Sequence, residues 1–575
     1  MKFFCRWGQA QTNHRTQQGK VRDLTLLSFV LFLALAMLPQ AAPGHPAHAK
    51  PVNYPYVVGF ERFHSSLDDD EYLAQGGMIL LNELNCVACH EPPARLKSQL
   101  QGVEATNLAG VATRLDDIDL EIMIRNPRFV KRDTVMPSLF AGPDRDLDEV
   151  TALKHYLATF EQEIPDYPVG DIEQGRAFYH RVGCAACHAP EVGYRPPGIP
   201  ENAEIEMAGL PSVPMNLADL YDLDALTHFL LTPNAHRPSG RMPEFHLSLA
   251  EASDLAAYLK AGPDLELPEN LTEALTQSIP FELDPELAKQ GKGLFVAKSC
   301  SACHTAPDEG AKRDLHSALP LAKLKVEDWT ACLSERPNSG GVPFYGLDEV
   351  QKRAITAALV RLSEKKPLSG PEEIDWRMKS LNCYACHERD GVGGAETARE
   401  VYFGFESEKA VELGRWGHLP PDLTKVGARL NHDWIDALLL GGEEPKVRTY
   451  LSTRMPQYAA ERVKPLAKAL SKDHAEKVRG KSLFHPPSGG DLQAPDFFQT
   501  DCRRCHGAGE IEATELPGIN LQRSAERLQY PYFQSMILDP QTTQPGVPMI
   551  PALENDPEAE KKVSELWRYL KDLGR

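Results

Sequence analysis

The sequence predicts an all-α protein built as a tandem array of five small helical domains. Three observations in the 575 residues lead there. A five-residue pattern, Cys-x-x-Cys-His, occurs five times, its copies 83 to 119 residues apart. Each copy is followed by an amphipathic segment, and in four of the five its apolar residues recur at spacings of three and four, as a helix burying one face requires. Between pattern and helix, four of the five stretches carry a Met-Pro-like element. Repetition on this scale marks modules and is read before local structure.

The modules run in order along the chain, with boundaries where Pro, Gly and acidic residues cluster. Residues 1–49 have the form of an export signal. Lys2, Arg6, Arg15, Lys20 and Arg22 precede an apolar run from Leu24 to Leu38, and Ala47-His48-Ala49 has the small-x-small form of a cleavage site. The run is short for a membrane span, which needs roughly 20 apolar residues. The five units are then 50–165, 166–265, 266–366, 367–475 and 476–575. Their closing helices are expected over Leu153 to Leu157, Leu255 to Leu259, Ile355 to Leu359, Leu466 to Leu470 and Leu566 to Leu570. A short helix is expected before most Cys-x-x-Cys-His copies. Gly76-Gly77, Gly175 and Gly293 are placed there to let the first and last helices of a unit cross closely.

The pattern itself is the attachment signature of c-type haem. Two thiols form thioethers to the porphyrin and the adjacent imidazole binds the iron. The attachment cysteines are Cys86 and Cys89, Cys184 and Cys187, Cys300 and Cys303, Cys383 and Cys386, Cys502 and Cys505; the imidazoles are His90, His188, His304, His387 and His506. With 12 Cys and 19 His in the chain, a shuffled sequence yields on the order of one hundredth of a match. Five copies therefore imply five covalent haems. A zinc ribbon needs paired Cys-x-x-Cys units at short separation, and a thioredoxin-type pair needs no trailing His. Covalent haem also supplies the apolar core that units of this size lack.

These units resemble class I cytochrome c domains, a likeness covering nearly all of residues 70–573. The resemblance implies three or so helices around each haem, with His and Met on opposite faces of the iron. It places Met136, Met242 and Met455, each before Pro, opposite His90, His188 and His387, and Met549 opposite His506. It also implies a proline carbonyl near the fourth imidazole, from Pro420 or Pro421. In the third unit, Gly340-Gly-Val342-Pro343-Phe-Tyr345-Gly-Leu347 aligns with Gly240-Arg-Met242-Pro243-Glu-Phe245-His-Leu247, and valine stands where methionine would. Valine has no donor atom. The iron at His304 is then expected to be five-coordinate, or to take His316 or another His, or Cys332 or Tyr345.

Charge narrows the partners. The chain carries a net charge of −19, and −23 without residues 1–49. Nucleic acid and anionic lipid are disfavoured, and basic docking surfaces on other redox proteins are favoured. The expectation is a periplasmic or otherwise exported electron carrier between a dehydrogenase and a reductase or oxidase, with no catalytic residues assigned and no need of a membrane. The competing expectation is a haem enzyme, a peroxidase or a reductase of small nitrogen oxides, working at the iron of His304; a redox or gas sensor ranks last.

Overall fold

A computed structural model describes residues 52–65, 69–140, 147–197, 211–215, 220–238, 240–261, 281–308, 318–324, 332–336, 342–364, 367–404, 412–441, 447–474 and 493–574. The export-signal reading of residues 1–49 therefore lies outside the described residues, as does His316. Among the described residues no helix is long and apolar enough to cross a membrane.

Among the described residues helices dominate, with one antiparallel pair of two-residue strands at Glu388–Arg389 and Val392–Gly393. The helices of nine or more residues are α1 Asp70–Glu83, α2 Asp117–Arg125, α3 Leu147–Ala158, α4 Ile172–Val182, α5 Leu223–Leu231, α6 Leu249–Lys260, α7 Pro285–Ala297, α8 Glu349–Glu364, α9 Pro371–Ser380, α10 His432–Leu440, α11 Ala460–Lys472, α12 Tyr530–Leu538 and α13 Ala559–Leu573. Their starts are written locally. Asp69, Asp116, Asp171, Asp222 and Asp284 each accept a first-turn amide with the side chain, a cap worth about 1 kcal/mol. Ser248 and Glu251 close a reciprocal capping box at α6. All ten residues that frame the expected closing helices lie in α3, α6, α8, α11 and α13 and are buried.

The way these helices pair is not the way the sequence orders them. In the second unit α4 packs on α6, and in the fourth α9 packs on α11, each within one contiguous stretch. The first and third units exchange partners: α1 packs on α8, and α7 packs on α3. Contiguous domains at 50–165 and 266–366 therefore do not describe the packing. One apolar core joins Leu73, Ile79 and Leu84 with Tyr345, Ala354 and Leu359. Another joins Leu108, Leu153 and Tyr156 with Phe295.

Glycine makes three of these crossings, with one geometry. A Cβ at Gly77 would meet the carbonyl of Ala354 and the Cβ of Ala358. At Gly175 it would meet the Asp254 carbonyl and the Tyr258 Cβ, and at Gly291 the Ala152 carbonyl and the Tyr156 Cβ. Backbone thus seats directly against backbone. The glycine that matters in the third unit is Gly291 and not Gly293, which has open space where its Cβ would stand.

Candidate haem sites

Each Cys-x-x-Cys-His segment folds as a tight turn at the end of a helix or helical turn. In four of them the residue before the first cysteine takes positive φ: Asn85, Gly183, Ser299 and Asn382. Asn, Ser and Gly tolerate that region where branched residues do not. The fifth turn grows instead from a π-helical turn, Phe498–Cys502.

The five imidazoles share one feature. Every Nδ1–H donates to a backbone carbonyl: His90 to Leu319 at 2.6 Å, His188 to Val213 at 2.8 Å, His304 to Thr106 at 2.9 Å, His387 to Pro421 at 2.8 Å and His506 to Ile519 at 2.9 Å. That bond fixes the tautomer and leaves Nε2 as a lone pair available to a metal. Pro421 is one of the two prolines expected at this contact. Burial also pulls the basicity of His188, His304, His387 and His506 down, His188 to about 4. These rings stay neutral, as an iron ligand must.

The thiols behave differently from redox-active pairs. Burial pushes Cys184, Cys300, Cys383 and Cys502 up to about 12 and Cys303 to about 11. A reactive Cys-x-x-Cys lowers its thiol toward 7 or below. Among the described residues no cysteine forms a disulfide.

Space for a large planar group is present around the fourth and fifth motifs. A single cavity of 1310 Å³ is lined by Cys383, Cys386, His387 and Met455, and also by Cys502, Cys505, His506 and Met549. It exceeds the roughly 300–1,000 Å³ of a common small-ligand pocket, and each imidazole faces it together with its sequence-expected methionine. Cys187 of the second motif reaches the same wall.

Five arginines line that cavity, and sequence reasoning missed them; Arg454 pairs with Glu251 and Arg504 with Glu515. Arg429, Arg448 and Arg527 form no ion pair among the described residues, although Arg429 donates to the Asp422 carbonyl and Arg448 to the Leu419 carbonyl. Arg527 is half-buried with its Nε enclosed and unpartnered, and desolvation beside Arg429 and Arg448 lowers it to about 10. Half-buried cations without anions fit the carboxylates of haem. A signal existed: Arg114-Leu115, Arg429-Leu430 and Arg527-Leu528 each close a four-residue helix just before the next helix begins.

Neighbouring sites touch. Arg399, fully buried, donates to the carbonyls of Ala185 (3.2 Å) and Ala186 (2.6 Å), the two residues between Cys184 and Cys187, and also to Pro211 O and Ser212 Oγ. Asn85 Nδ2 lies 3.3 Å from Cys303 Sγ, and Asn382 Nδ2 lies 3.4 Å from Cys187 Sγ. The loops after the methionine positions pair two by two: Glu244 bridges Gln457, and Ser138 bridges Phe344.

Residues 172–262 match the family model of cytochrome c. This stretch is a cytochrome c domain. Its limits coincide with α4 through α6 around Cys184, Cys187 and His188, and the match supports a haem-binding electron-transfer protein of the c type. No curated protein and no solved structure matches the chain. Within the cytochrome c domain, Met242 packs on the core that holds Cys184. The His228 ring bonds the Tyr167 hydroxyl at 2.8 Å, and His236 is buried against it with its Nε2 unpartnered.

Proposed function

We propose that the chain is an exported pentahaem cytochrome that carries electrons between other redox proteins, with one covalent haem at each Cys-x-x-Cys-His turn. The observation that carries this reading is the repeated imidazole geometry, five rings whose Nδ1 is bound by a backbone carbonyl and whose Nε2 is free. Haem supplies reversible one-electron chemistry at iron, and a thioether opposite imidazole favours the ferrous state. The chain's own residues hold the rings in orientation, bury them and set anions against Arg429, Arg448 and Arg527. Contacts such as Asn382 to Cys187, and the cavity common to the fourth and fifth turns, favour close spacing of the groups.

Location in the periplasm follows from the form of residues 1–49 and from the chemistry of thioether attachment, which takes place outside the cytoplasm. The partners follow from charge. A net −23 outside that segment suits transient docking on basic faces of a dehydrogenase and of a reductase or oxidase. Such encounters weaken with salt.

Mass spectrometry of the chain made in a host competent for cytochrome maturation tests the proposal directly. Polypeptide plus five haems is the expected mass, with residues 1–49 absent. A mass equal to the bare polypeptide would end it.

A further inference from the structure

Resting on that pentahaem reading, we infer that the iron without a methionine is the one at His90, not the one at His304, and that it takes a small neutral diatomic ligand. Met136 then serves the haem held by His304.

The inference comes from following each loop to the turn it covers. In the fourth unit, Met455 shares a cavity with His387, and Tyr458, three residues on, donates its hydroxyl to the Leu381 carbonyl just before Asn382. Tyr345 stands three residues after Val342 and donates at 2.9 Å to the Leu84 carbonyl just before Asn85. Val342 therefore holds, over the Cys86 turn, the place that Met455 holds over the Cys383 turn. Conversely Leu139, three residues after Met136, packs in the core that contains Cys300.

The proximal contacts cross in the same sense. In the cytochrome c domain, Val213 gives its carbonyl to His188 and its amide to the Cys187 carbonyl at 2.8 Å. Ala318 N bonds Cys89 O at 3.2 Å beside the Leu319 contact to His90, and Ala105 N bonds Cys303 O at 3.0 Å beside the Thr106 contact to His304. Both the proximal carbonyl and the closing helix of each site thus come from the other unit. Valine offers no lone pair, and the Tyr345 hydroxyl is committed to Leu84. Cys332 packs on the rim of the same core; its capture of the iron is an outcome of the test.

Two measurements on the full five-haem protein decide it. Zero-length carbodiimide cross-linking should join Lys298, at the end of α7, to Glu149 in α3, which are 2.6 Å apart; joining Lys298 to Glu349 instead would overturn the exchange. Carbon monoxide added to the reduced protein should bind one haem in five. Binding should vanish in Cys86→Ala/Cys89→Ala and in Val342→Met, and persist in Cys300→Ala/Cys303→Ala. Loss only in the Cys300→Ala/Cys303→Ala variant, or persistence in Val342→Met, would reverse the assignment. No binding by the unaltered chain, with five low-spin signals in electron paramagnetic resonance, would refute the open site while leaving the five-haem mass, and so the carrier reading, intact.

Discussion

Glu83, the last residue of α1, is buried and held by two arginines from elsewhere in the chain. Arg241 Nε lies 2.9 Å and an Arg462 terminal nitrogen 2.7 Å from its oxygens. Burial alone would raise this carboxyl, but the two guanidiniums overcome it and hold the group below the ordinary range. Its stabilisation is therefore complete above the unfolded carboxylate range and is lost as pH falls through the lower, folded value. Glu83→Gln should cost about 1.5–3 kcal/mol, because a buried amide then replaces the charge that two partly exposed guanidiniums bind; denaturant unfolding at neutral pH measures it. Glu61 works in the opposite sense. Burial raises it to about 7 against the pull of its Gln351 and Tyr54 hydrogen bonds. Its contribution is complete below about pH 4.5 and disappears as pH rises through 7, a swing of about 3 kcal/mol. Glu61→Gln should flatten the fall in stability between pH 5 and 8, and an unchanged slope would show that Glu61 is not its source. Residues of this kind were invisible in the sequence, since an isolated Glu gives no sign of what surrounds it. The Cys-x-x-Cys-His turns were legible because their chemistry fixes the spacing within five residues. Val342 was legible as a missing donor, but the imidazole it faces is set by tertiary pairing.

At the scale of elements, the seat between first and closing helices depends on one missing side chain in three places. Gly77→Ala would drive a methyl group into the Ala354 carbonyl, and neither helix backbone can yield without moving the core around Leu73 and Leu359. A loss of about 1–3 kcal/mol is expected, the usual cost of overpacking. Gly293→Ala, two residues beyond the true contact at Gly291, meets nothing within 4 Å and should stabilise α7 by up to about 1 kcal/mol through helix propensity. Thermal melts of the two haem-loaded variants should move in opposite directions. The closing helices were readable because a period of 3.6 survives in any packing arrangement. Choosing Gly291 over Gly293 needed the partner helix, since both sit in the same short run before Phe295. In the fourth unit α9 lacks such a glycine, and the buried Trp376 and Met378 occupy that helix.

Over the whole molecule, the pairing of α1 with α8 and of α7 with α3 nests one set of contacts inside another. The cytochrome c domain at 172–262 lies within the loop closed by α3 and α7, and both lie within the loop closed by α1 and α8. Local pattern cannot reveal nesting, because every helix and turn reads the same whether its partner is 70 or 270 residues away. Nesting does carry a consequence for folding. Contacts of high sequence separation form late, after the loop-closure entropy has been met. A chain ending at residue 262 should therefore keep the cytochrome c domain intact while α1 lacks α8, and His90 lacks the Leu319 carbonyl. In that shortened chain, limited proteolysis should cut freely within residues 69–160 and spare residues 172–260. In the full chain both stretches should resist alike. If residues 69–160 of the shortened chain resist as well as residues 172–260, α1 and α3 close on each other, and the exchange between the first and third units is not how this protein folds.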